Sequence, residues 1–278
     1  MKIAIAQLNP TIGDLAGNAQ HILRAARQAA DQGVRLLLTP ELSLCGYPPR
    51  DLLMNPRFVG NMATTLHQLA ADLPSGVAVL VGTVEPNTRS LQEGGKALFN
   101  SMALLDQGQV QRIFHKRLLP TYDVFDEDRY FAPGNEPNHF WLDGVHIGVT
   151  ICEDLWNDED FWGKRRYATN PISDLASLEV DVMINLSASP YTVAKQYLRE
   201  AMLRHAAVRY NRPIVYVNQV GGNDDLIFDG SSVAFNQRGD LVCRARAFET
   251  DWVMLELDPQ QKDFLPGTIA SLPESEDA

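Results

Sequence analysis

Cysteine is scarce in this chain: Cys45, Cys152 and Cys243 are the only three among 278 residues. An odd number at wide spacing argues against a disulfide framework. No CxxC or HExxH pattern occurs, so no metal site is expected. Positive charge is also short. Lys and Arg total 24 against 35 Asp and Glu, the net charge is -11, and no basic cluster stands out. Nucleic-acid binding rests on neutralising phosphates, so it is not expected either. No run reaches the roughly 18 apolar residues of a membrane helix. Residues 1–7 read as a strand and not as a signal peptide, because the apolar stretch is too short. Reduced thiols without an export signal point to the cytoplasm. There is no Gly-x-Gly-x-x-Gly after a strand and no phosphate-binding Gly-x-x-x-x-Gly-Lys loop, and Gly221-Gly222 reads as a turn. Repeats of 20–50 residues are absent.

What is present is an alternation of buried strands and amphipathic helices in a chain that is 45% hydrophobic. The pattern predicts strands at 2–8, 34–38, 77–84, 98–105, 109–115, 145–151, 180–186, 213–220, 226–235, 241–247 and 252–257. Helices are predicted at 14–32, 61–72 and 194–210, with Gly33 stopping the first. Asp106-Gln107-Gly108 marks a hairpin, and residues 120–137 form a long aperiodic loop of the kind that is usually functional. Helices recurring between buried strands predict an α/β fold with two sheets packed face to face and helices outside. Residues 1–258 form one domain on this reading. Residues 259–278 lose periodicity, carry Pro266 and Pro273, and read as a linker.

Cys152 ends an apolar run and is followed at once by Glu153 and Asp154. A buried cysteine is ordinarily a small core hydrophobe. The acids that follow argue against deep burial, and a strand-end thiol suits a nucleophile. A thiol attacks as its thiolate, so it needs a base or a nearby cation. Glu41, directly after Leu36-Leu37-Leu38-Thr39-Pro40, is a candidate base, and Lys116 in His115-Lys116-Arg117 a candidate cation. Read alone, each fits a solvated turn equally well, and His115 is a rival base. Cys45 and Cys243 lack acidic neighbours and are expected to fill the core. Asn185-Leu186-Ser187 matches a glycosylation pattern but falls inside a predicted buried strand.

Three segments resemble the signature segments of the nitrilase superfamily of carbon–nitrogen hydrolases: Pro40–Tyr47, His115–Pro120 and Ile151–Asp154. The resemblance implies a four-layer αββα sandwich with Glu41 as general base, Lys116 as oxyanion stabiliser and Cys152 as nucleophile. It places a second glutamate at Glu127, which Asp126 and Asp128 flank. Gly46–Leu53, Leu119–Glu127 and Asn185–Tyr191 are further similar to the glutaminase domains of bacterial glutamine-dependent NAD+ synthetases. That likeness implies hydrolysis of L-glutamine to glutamate and ammonia, with Tyr47, Tyr122, Glu153, Ser189 and Lys195 around the substrate. The ammonia would serve a C-terminal NAD+ synthetase domain whose pyrophosphate loop this chain lacks. No cofactor is expected here, ATP and Mg2+ belonging to that second domain. A homo-oligomer is expected by the same likeness. The alternatives are a stand-alone amidase for another small amide or carbamoyl compound, and a non-catalytic scaffold.

Overall fold

In a computed structural model, which describes residues 1–273, two sheets stack between helices. The strands are β1 (Lys2–Gln7), β2 (Leu36–Leu38), β3 (Ala78–Pro86), β4 (Leu98–Asp106), β5 (Gln109–His115), β6 (Asn138–Leu142), β7 (Val145–Ile151) and β8 (Val182–Ser187). They continue with β9 (Ile214–Asn218), β10 (Val220–Asn223), β11 (Leu226–Asp229), β12 (Val233–Phe235), β13 (Leu241–Arg244), β14 (Asp251–Asp258) and β15 (Asp263–Phe264). The helices are α1 (Leu15–Asp31), α2 (Pro56–Asp72), α3 (Ser90–Glu93), α4 (Glu159–Trp162), α5 (Pro171–Ser177) and α6 (Lys195–Tyr210). One sheet runs β15-β14-β1-β2-β3-β4-β5, and the other β13-β12-β9-β8-β7-β6; β10 and β11 form a separate ribbon.

The layering follows from strands that are apolar on both faces, the pattern of sheets covered on both sides. In β1, Ile3 and Ile5 join the layer between the sheets, while Ala4 and Ala6 face α1 and α2. In β2, Leu36 and Leu38 point inward, and Leu37 outward to those helices. Ile147, Val149 and Ile151 of β7 meet them from the opposite sheet. On its outer side that second sheet packs Met183 and Tyr216 against Ile172 and Leu175 of α5 and Met202, Leu203 and Ala206 of α6. The result is the expected αββα sandwich. Each fully buried Leu, Ile or Val in these layers contributes about 1.5–3 kcal/mol by leaving water.

Some elements depart from the pattern. Helix α2 begins at Pro56 rather than at 61, because Asn55 caps it through the N–H of Arg57 and proline fits its first turn. The two long late strands each break in two, at Gln219 and around Gly230-Ser232. Gly221 and Gly222 do not form a turn; both lie in β10, paired with Phe228 and Ile227, and the chain reverses at Asp224-Asp225. Past residue 258 the chain stays on the body: Phe264 pairs with Leu257, and Ile269 bridges to Arg244. The last five residues of the 259–278 segment lie outside the described residues. Among the described residues, no helix is long and apolar enough to cross a membrane.

β1, β2 and β3 run parallel, as do β7, β8 and β9. In α/β sheets, ligand sites form beyond the carboxyl ends of such strands. Glu41 follows β2, Lys116 follows β5, Cys152 follows β7, and Ser189 follows β8.

Candidate active site

Three segments far apart in sequence meet at one buried lysine. Lys116 Nζ donates to Glu41 Oε1 at 2.7 Å and to Glu127 Oε1 at 2.8 Å, and the lysine and Glu41 side chains are fully enclosed. Asn100 of β4 donates its amide to Glu41 at 2.7 Å and to Glu127 at 3.4 Å. The other Glu41 oxygen accepts the backbone N–H of Ala188 at 3.0 Å, and Tyr47 donates its hydroxyl to Glu127 at 2.9 Å. A buried charge is tolerated only when it is paired and hydrogen-bonded, and here nearly every oxygen and proton of the three ions has a partner.

The backbone forces this meeting. Gly82 of β3 lies under the Glu41 loop so closely that a Cβ would stand 2.2 Å from Leu42 N and 2.7 Å from the Glu41 carbonyl carbon. Only glycine admits that approach. Leu42 and Cys152 both adopt left-handed backbone, with φ of 48° and 45°. Such conformations cost about 1–3 kcal/mol in a non-glycine residue and persist only where the surroundings hold them. At Cys152 the holder is Asp154, whose Oδ2 accepts the N–H of Ile151 at 3.0 Å while Oδ1 accepts those of Arg117 and Leu118. Asn185 adds a bond to the Cys152 carbonyl at 3.2 Å.

Contrary to the expectation from the acids after it, Cys152 is deeply set, at 4% exposure, and Glu153 and Asp154 are buried with it. The reason is that both acids are satisfied internally. Asp154 takes the three backbone N–H groups just described. Glu153 accepts the Tyr122 hydroxyl at 2.8 and 3.0 Å and the Tyr167 hydroxyl at 2.9 Å.

These surroundings set the protonation states. Burial raises the Cys152 thiol well above its ordinary value, and the charges of Glu41, Glu127 and Glu153 add to this against the pull of Lys116. The thiol therefore holds its proton at rest. Burial alone would lower Lys116, but Glu127, Glu41 and Cys152 outweigh it and hold the ammonium well above its ordinary range. Burial pushes Glu127 up to about 7, with Glu41 adding to it and Lys116 opposing. Glu127, beside that cation, is thus poised to take up a proton near neutrality.

Cys152 opens on a cavity of about 200 Å³ lined also by Tyr122, Glu153, Trp156, Ser189 and Lys195. That is smaller than the roughly 300–1,000 Å³ of drug-sized sites and suits a small metabolite. Glu153 puts an acid on its wall. Lys195 puts a cation there, its Nζ donating to the Pro190 carbonyl at 2.8 Å and lying 5.7 Å from the Trp156 ring. Burial, then the neighbouring Arg199, lower the Lys195 pKa. Glu41, Lys116 and Glu127 lie behind that lining, and of the five residues expected around the substrate Tyr47 alone is not part of it. It stands behind Glu127, on a separate and larger cavity of about 890 Å³ that also reaches Glu127. His115, the rival base, turns away from the site and pairs with Glu85. Cys45 and Cys243 are fully buried core residues. Among the described residues no cluster of three His, Cys, Asp or Glu side chains suits a metal ion.

Sequence reasoning missed Asn100, Asp154, Arg166 and Tyr167. The polar pair Asn100-Ser101 inside an otherwise apolar strand was the available signal for the first. Arg166 reaches the cavity and Tyr167 reaches Glu153 because Asn157 folds the 156–170 loop back, donating to the carbonyls of Tyr167 and Thr169 and accepting the N–H groups of Arg166 and Tyr167. No short-range pattern encodes that.

The profile of the family described as carbon-nitrogen hydrolase matches residues 2–263. The glutamine-dependent NAD(+) synthetase of Synechocystis sp. is 54% identical over 271 residues, which cover 98% of this chain and 49% of that protein. In three dimensions, the glutamine-dependent NAD+ synthetase of Acinetobacter baumannii, solved with ADP, superimposes with a TM-score of 0.87 at 37% identity, over 98% of this chain and 48% of that one. An amidase of the nitrilase superfamily from Nesterenkonia shares the fold, with a TM-score of 0.77 at 23% identity over 96% of this chain and 90% of that one. The chain spans about half the length of the curated relatives it matches.

Proposed function

This chain belongs to the carbon–nitrogen hydrolase family, and from that footing we propose that it hydrolyses the side-chain amide of L-glutamine to glutamate and ammonia. The observation that carries the reading is geometric: one buried lysine pairs with two buried glutamates, its Nζ 2.7 Å from Glu41 and 2.8 Å from Glu127, with the Cys152 thiol close enough to feel all three charges. A protonated thiol needs a base at the moment of attack, and Glu41 is the carboxylate assigned that task. As Cys152 Sγ bonds to the amide carbon, its proton passes to Glu41. The carbonyl oxygen takes the negative charge, which the Lys116 ammonium and the backbone N–H after the nucleophile stabilise. Glu41 then gives the proton to the leaving nitrogen, the C–N bond breaks, and ammonia departs from a thioester. Water gives a proton to Glu41 and its oxygen to the acyl carbon; the C–S bond breaks, glutamate forms, and the thiol recovers its proton. Glu127 holds Lys116 and shares its charge, and Tyr47 acts through Glu127.

Within the cavity, Glu153 with Tyr122 receives the α-ammonium, and Lys195 with Ser189 receives the α-carboxylate. Relatives twice this length are named glutamine-dependent NAD+ synthetases, which supports NAD+ synthesis as the destination of the ammonia; we assign its use to amidation of deamido-NAD+ in a separate ATP- and Mg2+-dependent domain. On this reading residues 1–258 carry the glutaminase, and the segment from 259, whose Asp263–Phe264 strand still pairs with β14, leads toward that domain. The chemistry of the present residues calls for no cofactor. The same reading includes a cytoplasmic homo-oligomer, in keeping with three unpaired cysteines, and size-exclusion chromatography checks the assembly. The direct test is release of glutamate and ammonia in equal amounts from L-glutamine. It should be lost in Cys152→Ala with the circular dichroism spectrum intact; turnover surviving in that variant would end the proposal.

A further inference from the structure

The wall of the cavity already contains a cation where a substrate ammonium would bind. Glu153 is 3% exposed, and two tyrosine hydroxyls occupy its oxygens. Hydroxyls satisfy its lone pairs but not its charge. The ionic partner within reach is Arg166, whose Nη1 lies 3.8 Å from Glu153 Oε1. The same guanidinium lies over the Tyr122 ring, 4.1 Å from its centroid. A ring face and a carboxylate meeting at one point make a cation subsite. Unlike the groups it touches, Arg166 is half exposed, at 53% of its side chain, so it can swing into solvent by giving up its contacts to Glu153 and the Tyr122 ring.

We infer that Arg166 is a specificity-determining residue: it occupies the cation subsite made by Glu153 and Tyr122 in the free protein, and a substrate ammonium must displace it. This rests on the glutamine reading above and deepens it. The consequence is a selection by charge. An amide carrying an α-ammonium replaces the guanidinium and gains the carboxylate it vacates. An amide with only an α-carboxylate leaves Arg166 in place and gains its positive charge. The arginine thus competes with the first kind of substrate and assists the second.

The test compares two amides on the purified protein: L-glutamine and glutaramate, which is glutamine without its amino group. Arg166→Gln should lower KM for glutamine about two- to fivefold, the scale of an exposed ion pair plus a cation–π contact, and raise KM for glutaramate by a similar factor. The effect should fall on KM more than on kcat. A rise in KM for both amides would mean that Arg166 holds the shared carboxylate, and would overturn the inference. Unchanged KM for both would overturn it as well. Wild-type protein that turns over glutaramate but not glutamine would contradict the glutamine reading first, and this inference with it. Arg166→Lys separates charge from shape: a lysine should keep part of the competition, and a purely structural role would not show the opposite shifts.

Discussion

Asp154 accepts the backbone N–H of Leu118 at 2.8 Å, which ties the turn bearing Cys152 to the segment bearing Lys116. The same carboxylate also takes Arg117 N–H at 3.0 Å and Ile151 N–H at 3.0 Å. Replacing it by alanine would orphan three buried donors, each costing about 1–3 kcal/mol before relaxation. Asp154→Ala should lose on the order of 3 kcal/mol or more, measured by urea unfolding. Asp154→Asn keeps an acceptor and should retain more stability. Equal stability of Asp154→Ala and wild type would mean that this clamp does not hold the site together.

Gly82 fixes the other side. A methyl group there collides with Leu42 N and Pro40 O, at 2.2 and 2.5 Å, and those are backbone atoms that cannot swing away. Gly82→Ala should destabilise by about 1–3 kcal/mol through overpacking and displace Glu41. Amide hydrolysis should fall at least tenfold, an estimate from the sensitivity of catalysis to misplacement by an ångström. Stability and kcat both at wild-type level would show that the Glu41 loop does not need this contact.

Glu127 gives the protein a pH signature. Burial, and then the Glu41 charge against Lys116, carry its carboxyl from an ordinary 4.5 up to about 7. The folded state therefore binds a proton more tightly than the unfolded state. The stabilisation is complete below pH 4.5 and is lost as the pH rises through about 7, by on the order of 3 kcal/mol. The thermal midpoint of wild type should fall over that window more steeply than that of Glu127→Gln. Parallel curves for the two proteins would contradict the assignment.

Strands with strong, two-sided burial were legible in the sequence, and so were the residues that end them. Glu41, Lys116 and Cys152 each follow a strand; apolar runs stop at Glu41 and Cys152, whereas Lys116 follows the mixed strand Gln109–His115, and the likeness of the three segments to nitrilase signatures is what joined them into one site. The hairpin at Gln107-Gly108 was legible from turn chemistry, with φ of 52° and 75°. A second hairpin went unread: β6 is short, yet Asp143-Gly144 after Phe140-Trp141-Leu142 is the same signal, with φ of 49° and 80°. Asn170-Pro171 likewise announces α5, because the Asn caps it and the proline suits the first turn. The burial of Glu153 and Asp154 was not legible. Their partners Tyr122, Tyr167, Arg117 and Leu118 come from distant segments, and only the fold brings them within hydrogen-bond reach. Arg166 escaped for the same reason.

The central claim is a thioester on Cys152, and trapping with hydroxylamine tests it most directly. With L-glutamine and hydroxylamine, the wild-type protein should form γ-glutamyl hydroxamate at the expense of glutamate; in a separate reaction with L-glutamine alone, quenched in acid during turnover, mass spectrometry should find a glutamyl group on the peptide that contains Cys152. Cys152→Ala should give neither. Hydroxamate formed by Cys152→Ala at the wild-type rate, or glutamate released by wild type with no trapped product, would contradict the account.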